Sequence, residues 1–431
     1  MAQQMWEISG KLQVEESDIT GVTTRRPLAN VEVEVMASNF GVYASWGEVR
    51  TNSDGEWTLR KEKDKSKRKF KIKARFADSE LEVNTGLLAN IEDYLSPAIV
   101  VFEHDHEVEG PDIQIGTRCF KAGASGELGE LTNIRQAITW YLCKTVINTM
   151  QANDSYFSFD GKIHIVYPSN VVSNIPYANG VTRCAYIQTA WWSPDTVLHE
   201  MSHLWNYDHN YGTANWIGAV LCPPDFDTHS LAERRPIAFH EGFAEYAAQA
   251  LLHEIWGNEP NSIRERPLPY SRNALVESLH LHTRDEVEQS DQGVFRALAL
   301  LTSRALYKRR FGDKDTRLDS YPYAQAVSTP TRDCPEPPRL TIWDVLKVFQ
   351  ANPGAGWPTE WQVGNNDYGV VRFFERAADV LPALDEATKD LMLNLIDPNG
   401  TLEPQSRCES SLEPSPGGVI THETVTSPTR L

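Results

Sequence analysis

Ser193-Pro194-Asp195-Thr196-Val197-Leu198-His199-Glu200-Met201-Ser202-His203-Leu204-Trp205 opens with three start signals for a helix. Ser193 can cap the first free N–H groups, Pro194 suits the first helical position, and Asp195 places an acid in the first turn. Val197, Leu198, Met201, Leu204 and Trp205 then fall at helical spacing and form a stripe to be buried. His199 and His203 are four residues apart, turned from one another by only about 40°, so their imidazoles can share one metal ion. Glu200 lies about 100° round from His199, too far to join them but placed to reach a water on that metal. These residue types in this order suit zinc-assisted hydrolysis. The metal lowers the pKa of its water towards about 7, and a carboxylate at Glu200 serves as general base.

Working outward, Arg183–Thr189 and Lys162–Tyr167 read as strands. The first of these is expected to be a sheet edge along which an extended peptide can pair. Leu131, Ile134, Ile138, Tyr141, Leu142, Thr145 and Val146 recur at helical spacing, so a helix is expected from near Glu130. From Trp6 to Thr117 the pattern is instead period two. Val31-Glu32-Val33-Glu34-Val35 and Phe70-Lys71-Ile72-Lys73-Ala74 alternate, with turn signals such as Asn52-Ser53-Asp54-Gly55 between such runs. Downstream, helices dominate, interrupted by Pro- and Gly-rich stretches at 329–338 and 352–358. The segment beyond Pro398, rich in Ser, Pro, Thr and Glu, is expected to be a mobile tail. The organisation predicted is multidomain. Residues 1–117 are an all-β sandwich able to fold alone, 118–398 an α+β, mainly helical domain carrying the metal motif, and 399–431 the tail.

The chain of 431 residues carries 41 Lys and Arg against 59 Asp and Glu, a net charge of −18. Nucleic-acid binders need basic surface to displace counterions, so a nucleic-acid partner is not expected. The one basic run, Lys61 to Lys73, reads as a solvated hairpin. No apolar stretch approaches membrane-spanning length. The N-terminal residues have neither the basic nor the apolar region of a signal peptide. A cytoplasmic protein, or one exported by a signal-free route, is therefore the expectation. Cys119, Cys143, Cys184, Cys222, Cys334 and Cys408 stand singly, with no CxxC pair to suggest a zinc ribbon. His104, His106, His164, His229, His253 and His422 are read as ordinary histidines.

A second run, Pro236-Ile237-Ala238-Phe239-His240-Glu241-Gly242-Phe243-Ala244-Glu245-Tyr246, reads as a helix with Pro236 near its first turn. It resembles the third-ligand segment of the gluzincins, the zinc peptidases related to aminopeptidase N and thermolysin, whose sequence has the form N-E-G-F-A-x-Y. His199-Glu200-Met201-Ser202-His203-Leu204-Trp205 is similar to their H-E-L-A-H-Q-W. The resemblance implies a zincin-like fold, Zn2+ held by His199, His203 and Glu241, and Glu200 as the base. It also allows Glu245, one turn beyond Glu241, to bond a ligand histidine. Two departures matter. The interval between the motifs is long, implying an insertion around Leu221 to Arg235, and the G-x-M-E-N sequence of the aminopeptidases is absent. Aminopeptidase activity is therefore disfavoured. Ser290-Asp291-Gln292-Gly293-Val294-Phe295-Arg296 resembles the helix that follows the family's oxyanion tyrosine, with Ser290 where the tyrosine would stand. Tyr321, Tyr323, Tyr368, His280 and His282 are the other candidates for that role. His199 to His209 also reads HExxHxxNxxH, similar to the metzincin pattern, in which His209 would replace Glu241 as third ligand. Metzincins carry a methionine turn beneath the site, and after Met201 the only methionine is Met392, in a helical run. In the first quarter of the chain, Gly10-Lys11-Leu12, Pro27-Leu28-Ala29-Asn30-Val31-Glu32-Val33 and Thr51-Asn52-Ser53-Asp54-Gly55-Glu56-Trp57 resemble a transthyretin-like, carboxypeptidase-regulatory domain. The reading that results is a zinc-dependent endopeptidase acting on a protein or peptide substrate. Its alternatives are a metzincin-type peptidase and a non-catalytic binding or adhesion protein with a retained zinc site.

Overall fold

The period-two segments form strands, and their alternation decides which side chains the sheets enclose. In the computed structural model the residues described are 5–17, 23–39, 42–62, 67–86, 99–100, 106–109, 112–121, 128–169, 175–211, 231–255 and 340–350, with isolated positions between 294 and 381. One sheet has β1 (Met5–Ser17) at its centre. It pairs in parallel with β10 (Asp112–Lys121) and antiparallel with β2 (Thr23–Pro27) and β5 (Glu56–Glu62). A second sheet runs β4 (Val42–Arg50), β3 (Glu32–Asn39), β6 (Lys67–Arg75), β8 (Ile99–Val100), with β9 (His106–Glu109) also on β6. Trp6, Ile8 and Val14 of the first sheet and Val33, Val35, Phe70 and Ile72 of the second are buried in one core. The Trp6 and Phe70 rings meet edge to face at 5.8 Å across it. The turn before β5 is built as its sequence predicts. Asn52 Oδ1 accepts from the N–H groups of Asp54 and Glu56, and Gly55 takes φ +74°, where a Cβ would lie 2.3 Å from the Leu12 carbonyl.

The described part of the basic run lies in β5 and β6, where the Lys61 ammonium bonds the Trp46 carbonyl and the Lys71 ammonium sits 4.5 Å from the centre of the Tyr43 ring. Just outside the run, Arg75 and Arg50 both bond Glu32.

The third sheet has the order β12 (Tyr177–Asn179), β13 (Cys184–Tyr186), β11 (Ile163–Ser169), β7 (Leu81–Gly86). Two sequence expectations change here. The strand around Arg183–Thr189 is not an edge. Arg183 takes a left-handed φ of +55°, so the strand begins only at Cys184, and it is paired on both sides, by β11 and by β12. The edge is β12, antiparallel to its neighbour. The boundary at Thr117 is also less clean than the change of periodicity suggests. β10 runs on to Lys121, and β7 pairs in parallel with β11, which lies beyond that boundary. The pairing therefore does not favour independent folding of residues 1–117.

α1 (Leu128–Asn153) seals this junction. Trp140 donates its indole N–H to the Ala29 carbonyl at 3.1 Å, and the Lys144 ammonium lies 2.6 Å from Asp78 and also meets Glu80. α2 (Pro194–Asn206) follows β13 and packs against α3 (Leu231–Ile255), with α4 (Ile342–Gln350) against α3. α3 begins five residues earlier than Pro236 predicts, because Leu231-Ala232-Glu233-Arg234-Arg235 are themselves good helix formers. Pro236 then lies inside the helix, where its nitrogen cannot donate and its ring crowds the carbonyl one turn earlier, a cost of about 3 kcal/mol. Among the described residues no helix is long and apolar enough to cross a membrane. The predicted tail 399–431, Ser290, Asp291, and all five oxyanion candidates (Tyr321, Tyr323, Tyr368, His280 and His282) lie outside the described residues.

Candidate metal centre

α2 starts as its sequence dictates, with Ser193 Oγ accepting from the Thr196 N–H at 3.1 Å and Pro194 in the first turn. Its apolar stripe of Val197, Leu198, Met201, Leu204 and Trp205 is buried, which turns the histidine face towards α3. Burying each such side chain contributes about 1.5–3 kcal/mol, so the orientation of this helix is fixed by its core side. On α3, Phe239, Phe243 and Tyr246 are buried in the same core, and Phe243 stacks 6.0 Å from Trp205. That packing brings Glu241 opposite the histidines.

The two Nε2 atoms of His199 and His203 are 3.0 Å apart, and each lies 3.3 Å from Glu241 Oε2. His199, His203 and Glu241 thus form a group that can hold a metal ion, their ligand atoms all within 4.8 Å of one another. Three lone-pair donors converging on one point suit a divalent cation better than they suit each other. The set of two imidazoles and one carboxylate is that of borderline transition-metal sites.

The charges at this point are strongly coupled. Burial opposes charge on His199, but the hydrogen bond to Glu241 and the carboxylates of Glu200, Glu241 and Glu245 outweigh it and push its pKa up to about 9. Desolvation likewise opposes ionisation of Glu241, yet the facing imidazoles hold its carboxyl well below the usual range. Glu200, almost fully buried, is pushed up by burial, with the His199 and His203 charges working against the shift. Its Oε2 has no hydrogen-bond partner among the described residues. A buried carboxylate oxygen left without a donor is costly and has to be explained by what the site does.

His209 is placed away from this point. After α2 the chain continues as a π-helical turn, Tyr207–Tyr211. There the His209 ring stacks on Trp205 at 4.2 Å, with Nδ1 2.9 Å from the Trp205 carbonyl and Nε2 2.8 Å from the Tyr156 carbonyl. Both nitrogens are committed to backbone oxygens, so Glu241, not His209, stands beside His199 and His203. Asp208 on the same turn takes both forks of the Arg183 guanidinium at 2.8 and 2.7 Å, anchoring the start of β13 to the end of α2. Tyr207 packs so closely on Gly180 that a Cβ there would fall 2.3 Å from its ring.

Two residues beside the ligands, His240 and Asn206, were given no role at this group from the sequence, Asn206 having been read only as part of the rival metzincin-like pattern. His240 is buried, stacks on the His203 ring at 4.1 Å, and its Nδ1 lies 3.2 Å from the Asn206 side-chain nitrogen. The available signal was its place, immediately before Glu241 where the gluzincin pattern has asparagine. His164, read as ordinary, sits far from the metal group, with Nδ1 3.4 Å from Asn84 and 3.9 Å from Glu82. Among the described residues Cys119, Cys143 and Cys184 form no disulfide.

No protein-family model matches the chain, and no curated protein matches it. Among solved structures, a 9R-lipoxygenase from Cyanothece PCC8801 is similar over 35% of this chain and 23% of its own, at 17% identity and a TM-score of 0.18. At that TM-score the two do not share an overall fold, and the likeness carries no functional argument.

Proposed function

We propose that this chain is a zinc-dependent metallopeptidase that cleaves internal peptide bonds of a protein or peptide substrate. The observation that carries the reading is the convergence of His199 Nε2, His203 Nε2 and Glu241 Oε2 beside a buried Glu200 with an unpaired oxygen. The donor set suits zinc: two imidazole nitrogens 3.0 Å apart, each 3.3 Å from one carboxylate oxygen, are ligand types that zinc takes. When bound, zinc supplies a Lewis acid that lowers the pKa of a water to about 7 and polarises a carbonyl.

The remaining work falls to residues of the chain. His199, His203 and Glu241 would hold the ion. Glu200 would act as general base at the oxygen that has no partner among the described residues, taking a proton from the attacking water and returning it to the nitrogen of the leaving amine. Its raised pKa suits the exchange, since a base whose pKa lies nearer neutrality both accepts and releases the proton readily. β12 is a sheet edge among the described residues, and it offers main-chain groups to an extended peptide. The Arg183–Asp208 bridge and the Tyr207–Gly180 contact fix the β12–β13 end relative to α2.

The test is metal content of the purified protein, together with hydrolysis of casein before and after a chelator and after zinc is restored. One zinc per chain and chelator-sensitive cleavage are expected. Glu200→Gln is expected to keep the metal and lose at least 99% of the activity, because an amide cannot take the proton. A Glu200→Gln protein that cleaves at the parental rate sinks this mechanism. A chain that binds zinc but cleaves nothing favours the binding-protein reading.

A further inference from the structure

We infer that Asn206 and His240 are positioning residues that hold the His203 ring and lock α2 to α3 at the level of the metal. The inference rests on the metal-site reading above. A metal-bound histidine is ordinarily aimed by an acceptor for its second ring nitrogen, usually a carboxylate or a carbonyl. His203 is buried, and among the described residues its Nδ1 has no hydrogen-bond partner. Its orientation must come from packing. On one side it meets the His199 ring edge-on, centres 4.6 Å apart and planes at 89°. On the other it stacks on His240, centres 4.1 Å apart and planes at 28°.

His240 is held in turn by Asn206, whose side chain is wholly buried at the last position of α2. The three residues close a ring. His203 and Asn206 are three apart on α2 and so share one face, and His240 reaches both from α3. Because His240 directly precedes Glu241, fixing His240 fixes the rotational phase of α3, and with it where the Glu241 carboxylate is presented. Removing either member breaks the Asn206–His240 contact and loosens the packing that brings Glu241 to the histidines.

The experiment compares zinc affinity, by competition with a chromophoric chelator, in full-length parent, His240→Ala, His240→Phe, Asn206→Ala and the His240→Ala/Asn206→Ala double variant. The cobalt-substituted visible spectrum reports ligand geometry alongside. His240→Phe fills the same space and retains a ring to stack, so it guards against simple unfolding, which near-ultraviolet circular dichroism monitors. His240→Ala and Asn206→Ala are each expected to weaken zinc binding by about 10–100-fold and to shift the cobalt spectrum, and His240→Phe, which keeps the stack and loses the Asn206 contact, to fall between His240→Ala and the parent. The double variant is expected to lose little more than the worse single, because both belong to one device. A parent that takes up no metal overturns the reading beneath the inference. A parent that binds zinc beside folded His240→Ala and Asn206→Ala variants with equal affinity and an unchanged cobalt spectrum overturns this inference alone.

Discussion

In the two sheets built from β1 to β10, Glu32 lies between Arg50 and Arg75 on an outer face, and the enclosed core is apolar. At the contact of α2 with α3, Glu200, His203, Asn206 and His240 are buried, and the ion partners of Glu241 among the described residues are two imidazoles. Both regions satisfy the same rule, that acids and bases are kept near their counter-charges, yet at different costs. On the sheet face water shares the burden, so each pair contributes little and none needs a particular geometry. Between the helices Glu200, His203, Asn206 and His240 are removed from water, and the arrangement survives because the apolar packing around it is extensive. Such a polar cluster, with one carboxylate oxygen unpaired among the described residues, costs stability, as the proposed metal site would require.

The sharpest way to break this comparison is to remove a charge from the helix contact. Glu241→Ala is expected to lower zinc affinity by orders of magnitude, while His209→Ala leaves it near the parental value. His209→Ala should instead cost about 1–3 kcal/mol of stability, because the Trp205 and Tyr156 carbonyls lose their partner. Chelator competition and urea unfolding separate the two. The reverse pattern would place the third ligand at His209 and make the convergence at Glu241 incidental.

What could be read in the sequence, and what could not, divides along the range of the interactions. The helix of the metal motif was legible because Ser193, Pro194 and the apolar stripe are local signals, and Glu241 was legible through the residues matched around it. Partners distant in sequence were not. Leu81-Glu82-Val83-Asn84 reads as one more alternating strand, and nothing local says that it joins Ile163–Ser169 instead of the sheets before it. The left-handed turn at Arg183 hid for the same reason. Its guanidinium is held by Asp208, far along the chain, whereas asparagine or glycine at that position would have announced the turn. Asn206 drew attention only as a residue in a rival motif, and its bond to His240 across two helices has no signature in one dimension.

That long-range bridge gives the next test. The Asp208 side chain is 3% exposed and accepts both guanidinium nitrogens of Arg183 together with the Asp160 N–H. Arg183→Ala leaves this carboxylate buried with one donor, and a loss of about 3–5 kcal/mol is expected in urea unfolding. Arg183→Lys should recover only part, since an ammonium cannot make the forked contact. A loss below about 1 kcal/mol would mean that water reaches Asp208 and that the second region is no drier than the first.

Asp78 offers an intermediate case, between the sheets and α1. Burial opposes its ionisation, but the Lys144 ammonium and the N–H groups of Glu80 and Leu81 win, and its pKa is lowered. A carboxylate with a depressed folded value contributes stability that is fully present above its unfolded pKa of about 3.9, and that is lost as pH falls through the folded value. Asp78→Asn is therefore expected to cost about 2 kcal/mol at neutral pH. The deficit should shrink as the parent is acidified below about pH 4. A pH-independent deficit would assign the loss to packing and not to charge.

The smallest effect is expected where the comparison began, on the outer sheet surface. Arg60 Nε lies 2.8 Å from Glu7 Oε2, close to the 2.8 and 2.7 Å of the two Arg183 contacts, but the two side chains are 69% and 37% exposed. In that setting the Coulomb gain is weakened by water and offset by the entropy of holding two long side chains still, so the pair contributes about 0–1 kcal/mol. Arg60→Ala is expected to change stability by less than about 0.5 kcal/mol, and a double-mutant cycle with Glu7→Ala should give a coupling that fades at high salt. Similar bond length with a several-fold difference in effect would isolate burial as the variable. Should Arg60→Ala cost as much as Arg183→Ala, the charges of the sheets would have to act as one ordered network, and the contrast between the two regions would lie in chemistry alone and not in solvent.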